Sequence, residues 1–287
     1  MDIIQKIMQK IAEAKTSGNA ILNLGNEEKL RQIKESRIHG TTILALKCEN
    51  GVIMAADRRC SAGGKIFSDR AIKIEEIGSL SAIGGAGFVS DCQWLVKALK
   101  NEFLPNFEKF LEIEEIFVDG LANLIDFIMG RVFLLTWPIL AGWDPHQGAG
   151  RIFLFEPGGA KFEFDNYIAC GSGGDEATSV LDSKWSCDCT PQKGIQIAIE
   201  ALLLAAKKDL HTSDPFIHPP TVKIISPDGI STLPTKNAFG IAWEKAMKEQ
   251  ARKGDKEGVG AFVADSFLKE LRKNQAKEKN KNSKKPA

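Results

Sequence analysis

The chain has 287 residues, 43% hydrophobic and 26% charged, with a formal net charge of +1. That is enough apolar material for one large domain or two ordinary ones, and the near-neutral balance gives no global reason to expect nucleic acid. The six cysteines lack zinc-ligand spacing and do not resemble a secreted disulfide framework, and no run reaches the ~18 apolar residues of a membrane span.

The chain opens with MDIIQKIMQKIAEAK. Lysines interrupt its apolar residues, so it has no signal-peptide core, and a cytoplasmic protein is expected. Ile3, Ile4, Ile7, Met8 and Ile11 form one helical stripe. The lead-in 1–40 otherwise has little core material of its own.

The texture changes at Thr41. TTILALK and GVIMAAD read as strands, and the Asn50-Gly51 pair between them is a hairpin signal. AIKIEEI and SLSAIGGAG read as further short strands. Two helical patterns follow. One carries Cys92, Leu95, Val96, Leu99 and Phe103; the other carries Ile116, Phe117, Leu121, Leu124 and Ile128.

Strands return in LTWPILAGWD, GRIFLFEP, AKFEFDN and YIACGSG, then helices in GDEATSVLDSK and TPQKGIQIAIEALLLAAKKD. Pro191 marks the start of the second helix. TVKIISPDGISTL makes a last hairpin through Pro227-Asp228-Gly229. A further helix is expected over about 238–253. Beyond it the chain becomes lysine-rich, with seven Lys or Arg against one Glu from Leu271 to the end, which suits a solvated tail.

Strands and helices come in groups rather than alternating singly. Antiparallel sheets burying one face each, covered by helices, satisfy that order. The expected class is α+β: a four-layer sandwich, two antiparallel sheets inside and helices outside.

A cut between Gly40 and Thr41 would place a free α-amino group and a hydroxyl on one residue. A threonine hydroxyl is a weak nucleophile until a base activates it, and an N-terminal amine is such a base. The ordinary pKa of an α-amino group, about 7.7–8.0, suits the task. A lysine ammonium nearby would favour the neutral amine, and a carboxylate would hold the lysine. Asp57 ends the second strand pattern and Lys73 lies within the third. A lysine buried in an apolar strand needs a partner. Gly87, at a strand-to-helix junction, lets substrate approach backbone N–H groups suited to an oxyanion.

HGTTILALKCENGVIMAADRR, the Lys73 strand and GGAGFVSD resemble the N-terminal-nucleophile β-subunits of the 20S proteasome. With Thr41 as the mature first residue, Asp57, Lys73 and Gly87 lie sixteen, thirty-two and forty-six positions on, at the family's spacings. ACGSGGDEA resembles the family's Gly-Ser-Gly segment and places Ser172. KKDLHTSD resembles the segment supplying an Asp and a hydroxyl, here Asp209 and Thr212. In the family these three organise the threonine amine. LLTWPILAGWDP, FIHPPTVKII and the long lead-in look more like the bacterial, actinobacterial-type subunits than the archaeal ones.

The resemblance covers about 39–235. It implies a propeptide over 1–40 and a catalytic domain over 41–235; the remaining 236–287 is expected, from its pattern and composition, to be a C-terminal helix and a basic, partly disordered tail. It implies a threonine-type endopeptidase with neither metal nor cofactor, processed at Gly40–Thr41. The family's pocket for the residue before the cut maps to Cys60, Ala71, Glu75, Gly85, Val89 and Gln93. Ser61, also expected to bind substrate, stands where many members have threonine, and Thr212 where many have serine. Small Ala71 and Gly85 suggest a roomy pocket, and Glu75 hints at tolerance of basic residues. The implied partners are a homo-heptameric β-ring, α-subunits, an ATP-dependent unfoldase and unfolded polypeptides, with no nucleic acid and no membrane. Two other readings stand beside this one. A non-catalytic ring subunit would be expected to lose the lysine or the processable Gly-Thr. The two-ring threonine peptidase without α-subunits lacks a long prosegment.

Overall fold

The computed structural model describes residues 40–62, 65–111 and 114–233. The N-terminal stripe, the helix expected over 238–253 and the basic tail lie outside them.

Two five-stranded antiparallel sheets form the centre. The first runs in the order β10-β1-β2-β11-β12. Its strands are β1 (Thr42–Cys48), β2 (Gly51–Ala56), β10 (Tyr167–Gly171), β11 (Thr221–Ser226) and β12 (Gly229–Thr232). The second runs β5-β6-β7-β8-β9. It is built from β5 (Ile74–Glu76), β6 (Ser81–Gly87), β7 (Thr136–Asp144), β8 (Ala149–Phe155) and β9 (Lys161–Phe164). A short hairpin, β3 (Cys60–Ala62) with β4 (Lys65–Ser68), stands apart.

Asn50 takes a positive φ of 54° at the β1–β2 turn, and Cys48 pairs with Gly51. The connection is as tight as the sequence signal implies, but its two turn residues are Glu49 and Asn50, and Gly51 already pairs as the first residue of β2. Both sheets bury both faces, whereas the sequence suggested one each. In β1, Ile43 and Ala45 face the inter-sheet core, and Leu44 and Leu46 face helices. Period-two alternation therefore separates two apolar sets rather than apolar from polar. The inner core adds Met54, Ile139, Trp143 and Ile152.

Helices cover the outer faces. Over the second sheet lie α1 (Val89–Ala98), a π-turn (Leu99–Phe103), α2 (Leu104–Leu111) and α3 (Val118–Met129). Over the first lie α4 (Gly174–Lys184) and α5 (Pro191–Lys208). Thr190 caps α5 by accepting from Lys193 N at 3.2 Å, with Pro191 in the first turn. The four-layer sandwich expected from the element order is the fold observed.

Candidate active site

Thr41 immediately precedes β1 and is buried, 5% exposed. Two carboxylates on different elements organise its surroundings.

The first is Asp57, just past β2, whose side chain is fully buried. Its Oδ1 accepts from Lys73 Nζ at 2.5 Å and Thr42 N at 2.9 Å. Its Oδ2 accepts from Arg59 N at 2.7 Å, Ser213 N at 3.0 Å and Ser213 Oγ at 3.3 Å. Five donors converge on one carboxylate, which is how a buried charge is made tolerable. Lys73 lies immediately before β5 rather than inside it, as its sequence pattern suggested. Leaving the ladder frees its side chain to reach Asp57. Burial pushes the Lys73 ammonium below its ordinary pKa, and the attraction of Asp57 offsets this only in part.

The second carboxylate is Asp209, the C-cap of α5. Ser172, in the connection between β10 and α4, donates to Asp209 Oδ2 at 2.6 Å. Ser172 Oγ also lies 3.4 Å from the Thr41 carbonyl, but its single proton goes to the nearer, charged acceptor. Its lone pair accepts from Thr41 N at 3.2 Å. Thr212 donates to the same carboxylate oxygen at 2.6 Å. That leaves Thr42 as the donor in its 2.6 Å contact with Thr212 Oγ1. Hydroxyls and backbone N–H thus run from Thr41 and Thr42 into Asp209.

Thr41 and Lys73 open on the same cleft, about 600 Å³ in volume. Gly87 forms part of its wall with φ +114°, and a Cβ there would meet the Leu135 carbonyl oxygen, so glycine is required. Cys60, Ala71, Glu75, Gly85, Val89 and Gln93 also line the cleft. Ser61 does not: it is buried, and its hydroxyl engages His211 Nδ1 at 2.8 Å. Glu75 is paired with Lys100 at 3.0 Å, so it is not held ready for a basic substrate as its type suggested. Arg70 and Lys97 line the cleft without an acidic partner among the described residues. The wall is cationic.

Thr42, Ser213 and His211 were missed from sequence. The second threonine of Gly-Thr-Thr was a faint signal for Thr42. Ser213, adjacent to Thr212, and His211, inside the same segment, carried none. Among the described residues no group of His, Cys, Asp and Glu is arranged to hold a metal, and no helix is long and apolar enough to cross a membrane.

Residues 38–217 match the family described as "Proteasome subunit". The chain is similar to the proteasome subunit beta 2 of Pyrococcus furiosus, 35% identical over 217 residues, covering 75% of this chain and 98% of the relative. It is 30% identical to the proteasome subunit beta of Acidimicrobium ferrooxidans over 223 residues, covering 74% and 81%. Against that of Jonesia denitrificans it is 35% identical over 185 residues, covering 62% and 61%.

Proposed function

The chain belongs to the proteasome subunit family, and we propose that it is a catalytic β-subunit, a threonine-type endopeptidase that exposes its own nucleophile. One observation carries the reading most directly. The Thr41 N–H rests on Ser172 Oγ, while the Lys73–Asp57 pair opens on the same cleft. The position an N-terminal amine would take is already wired to a carboxylate.

Processing removes residues 1–40. Thr41 Oγ attacks the Gly40 carbonyl carbon, the C–N bond to Thr41 breaks, the hydroxyl proton ends on the released nitrogen, and the acyl group passes to oxygen as an ester. Water then cleaves that ester. It leaves a Gly40 carboxylate and a Thr41 carrying both a free hydroxyl and a free amine. In the mature subunit the amine takes the hydroxyl proton as Oγ attacks a substrate carbonyl. The same proton goes to the departing amine, which leaves an acyl-ester. A water gives its proton to the Thr41 amine, and its hydroxide frees the acid. The Lys73 ammonium favours the neutral amine by like-charge repulsion, with Asp57 holding it in place. Ser172, Asp209 and Thr212 orient the amine, and the Gly87 N–H meets the oxyanion.

The substrates are unfolded polypeptides. They are cleaved inside a chamber of homo-heptameric β-rings capped by α-subunits and fed by an ATP-dependent unfoldase. Retention of both the Gly40–Thr41 junction and Lys73 supports this over a non-catalytic ring subunit. Intact-mass measurement of the purified protein tests it. Loss of 1–40 is expected, with hydrolysis of a fluorogenic peptide sensitive to an N-terminal-threonine-directed inhibitor. Thr41→Ala should abolish both. A mature, active chain still beginning at Met1 would refute the reading.

A further inference from the structure

Gly40 is buried, although it belongs to the segment proposed to leave. Its Cα faces His211. A Cβ built at position 40 would fall onto His211 Cβ and Cγ, and would lie 2.8 Å from His211 Cα. Real Cβ atoms do not approach other heavy atoms so closely, so either the backbone of residue 40 or His211 would have to move.

His211 has little freedom to do so. Its N–H donates to Asp209 Oδ1 at 3.0 Å, and its ring Nδ1 engages Ser61 Oγ at 2.8 Å. The residues on either side are clamped too. Arg59 Nη1 donates to the Leu210 carbonyl at 2.9 Å and the Thr212 carbonyl at 3.3 Å, and Arg59 Nε is tied to Asp69. Asp209 is also the carboxylate that holds Ser172, on which the Thr41 N–H rests. Moving His211 therefore disturbs the group that positions the attacking residue. A bulkier residue at position 40 would be displaced from the Thr41 hydroxyl or would distort the cluster beside it.

From this we infer that His211 is the specificity-determining residue for self-processing: it restricts position 40 to glycine, and Ser61 and Asp209 hold it in place for that task. The inference rests on the proposed cleavage at Gly40–Thr41. It concerns the acyl side of that bond: Gly40 carries the attacked carbonyl and lines the same cleft as Cys60 and Ala71, whereas His211 lies outside that lining. Ser61, expected to bind substrate, acts here by fixing the imidazole.

The test compares Gly40→Ala, His211→Gly, His211→Ala and the two double variants, following loss of 1–40 by intact mass in the full-length protein. Gly40→Ala should slow processing at least tenfold. Pairing it with His211→Gly should restore most of the rate. Pairing it with His211→Ala, which keeps the colliding Cβ, should not. A generic loosening of the loop would make the two rescues alike. Wild-type processing in Gly40→Ala, equal rescue by both His211 variants, or rescue by neither would overturn the inference. Each rescue is read relative to the matching single His211 variant, because the His211 N–H also serves Asp209. The same pairs in a Thr41→Ala background, read by thermal melting, test the collision without cleavage. Gly40→Ala should lower the melting temperature there, and only His211→Gly should recover it. If the wild-type chain keeps 1–40 while melting shows this rescue, the processing proposal fails and the steric pairing stands.

Discussion

Removing Asp57 and removing Lys73 should have unequal consequences, although each breaks the same 2.5 Å ion pair. Asp57→Asn leaves the Lys73 ammonium, 8% exposed at its side chain, without its anion. It also confronts five converging donors with a single acceptor oxygen. Stripping one partner from a buried pair costs about 3–5 kcal/mol. Lys73→Met removes one donor of the five, and the carboxylate keeps Thr42 N, Arg59 N, Ser213 N and Ser213 Oγ. It also removes the cation whose burial is unfavourable, so its cost should be about 1 kcal/mol. The double variant has no orphaned charge and should recover about 1–2 kcal/mol relative to Asp57→Asn. Urea unfolding in the Thr41→Ala background measures all four species. With a slope of about 2 kcal/mol/M, Asp57→Asn should lower the midpoint by about 2 M and Lys73→Met by about 0.5 M. Equal single losses that add in the double would refute the reasoning, because additivity denotes groups that do not interact.

The lowered Lys73 pKa has a definite sign in the stability profile. Between its folded-state value and the ordinary 10.5, the unfolded chain holds a proton that the folded chain has released. Stability from this group therefore rises with pH in that window and is flat below it; the difference between wild type and Lys73→Met in urea midpoints measured up to pH 10.5 isolates it. Burial pushes the Cys48 and Cys170 thiols up to about 12. Both should resist iodoacetamide at pH 8 while exposed Cys187 reacts, read by peptide mass. The cationic lining should disfavour basic side chains before the cut. A peptide set varying only that residue should show lysine cleaved about fivefold more slowly than a neutral residue of similar size, an effect that fades with salt.

Local chemistry made much of the fold legible. Asn50-Gly51 marked its hairpin, although only Asn50 of the pair sits in the turn, and Pro191 marked the start of α5. The β3–β4 hairpin escaped notice because it lacks the apolar alternation that signals a strand. Ile66 and Phe67, its apolar residues on β4, are 55% and 70% exposed. The length of β5 was overread because AIKIEEI looks continuous, yet the Lys73 side chain is drawn to Asp57 before the ladder begins. Glu75 shows another limit. Its type was visible, but its direction is fixed by Lys100, a residue of the π-turn on the covering layer. Thr42, Ser213 and His211 depend on partners brought together only by tertiary structure. No spacing rule within one segment encodes bonds such as Thr42 to Thr212 or Ser213 to Asp57.

Those missed residues alter how the site should be understood. Asp57 and Asp209 stand on separate elements, and the backbone N–H of Thr42 goes to one while its hydroxyl leads to the other. Thr41 is the next residue in the chain, so its position is determined from both sides before any bond is cut. A flexible terminus would have to be ordered at each encounter with substrate, at about 1–2 kcal/mol for its backbone alone. Here that ordering is already present in the intact chain, so the proposed cleavage at Gly40–Thr41 need only release the amine beside Ser172. Thr42→Val, which keeps the backbone bond to Asp57 and deletes the hydroxyl branch to Asp209, separates the two supports. If both orient Thr41, this variant should fold and process more slowly than wild type, and Thr42→Ser should restore the rate. Processing unchanged by Thr42→Val would leave Asp57 as the sufficient anchor.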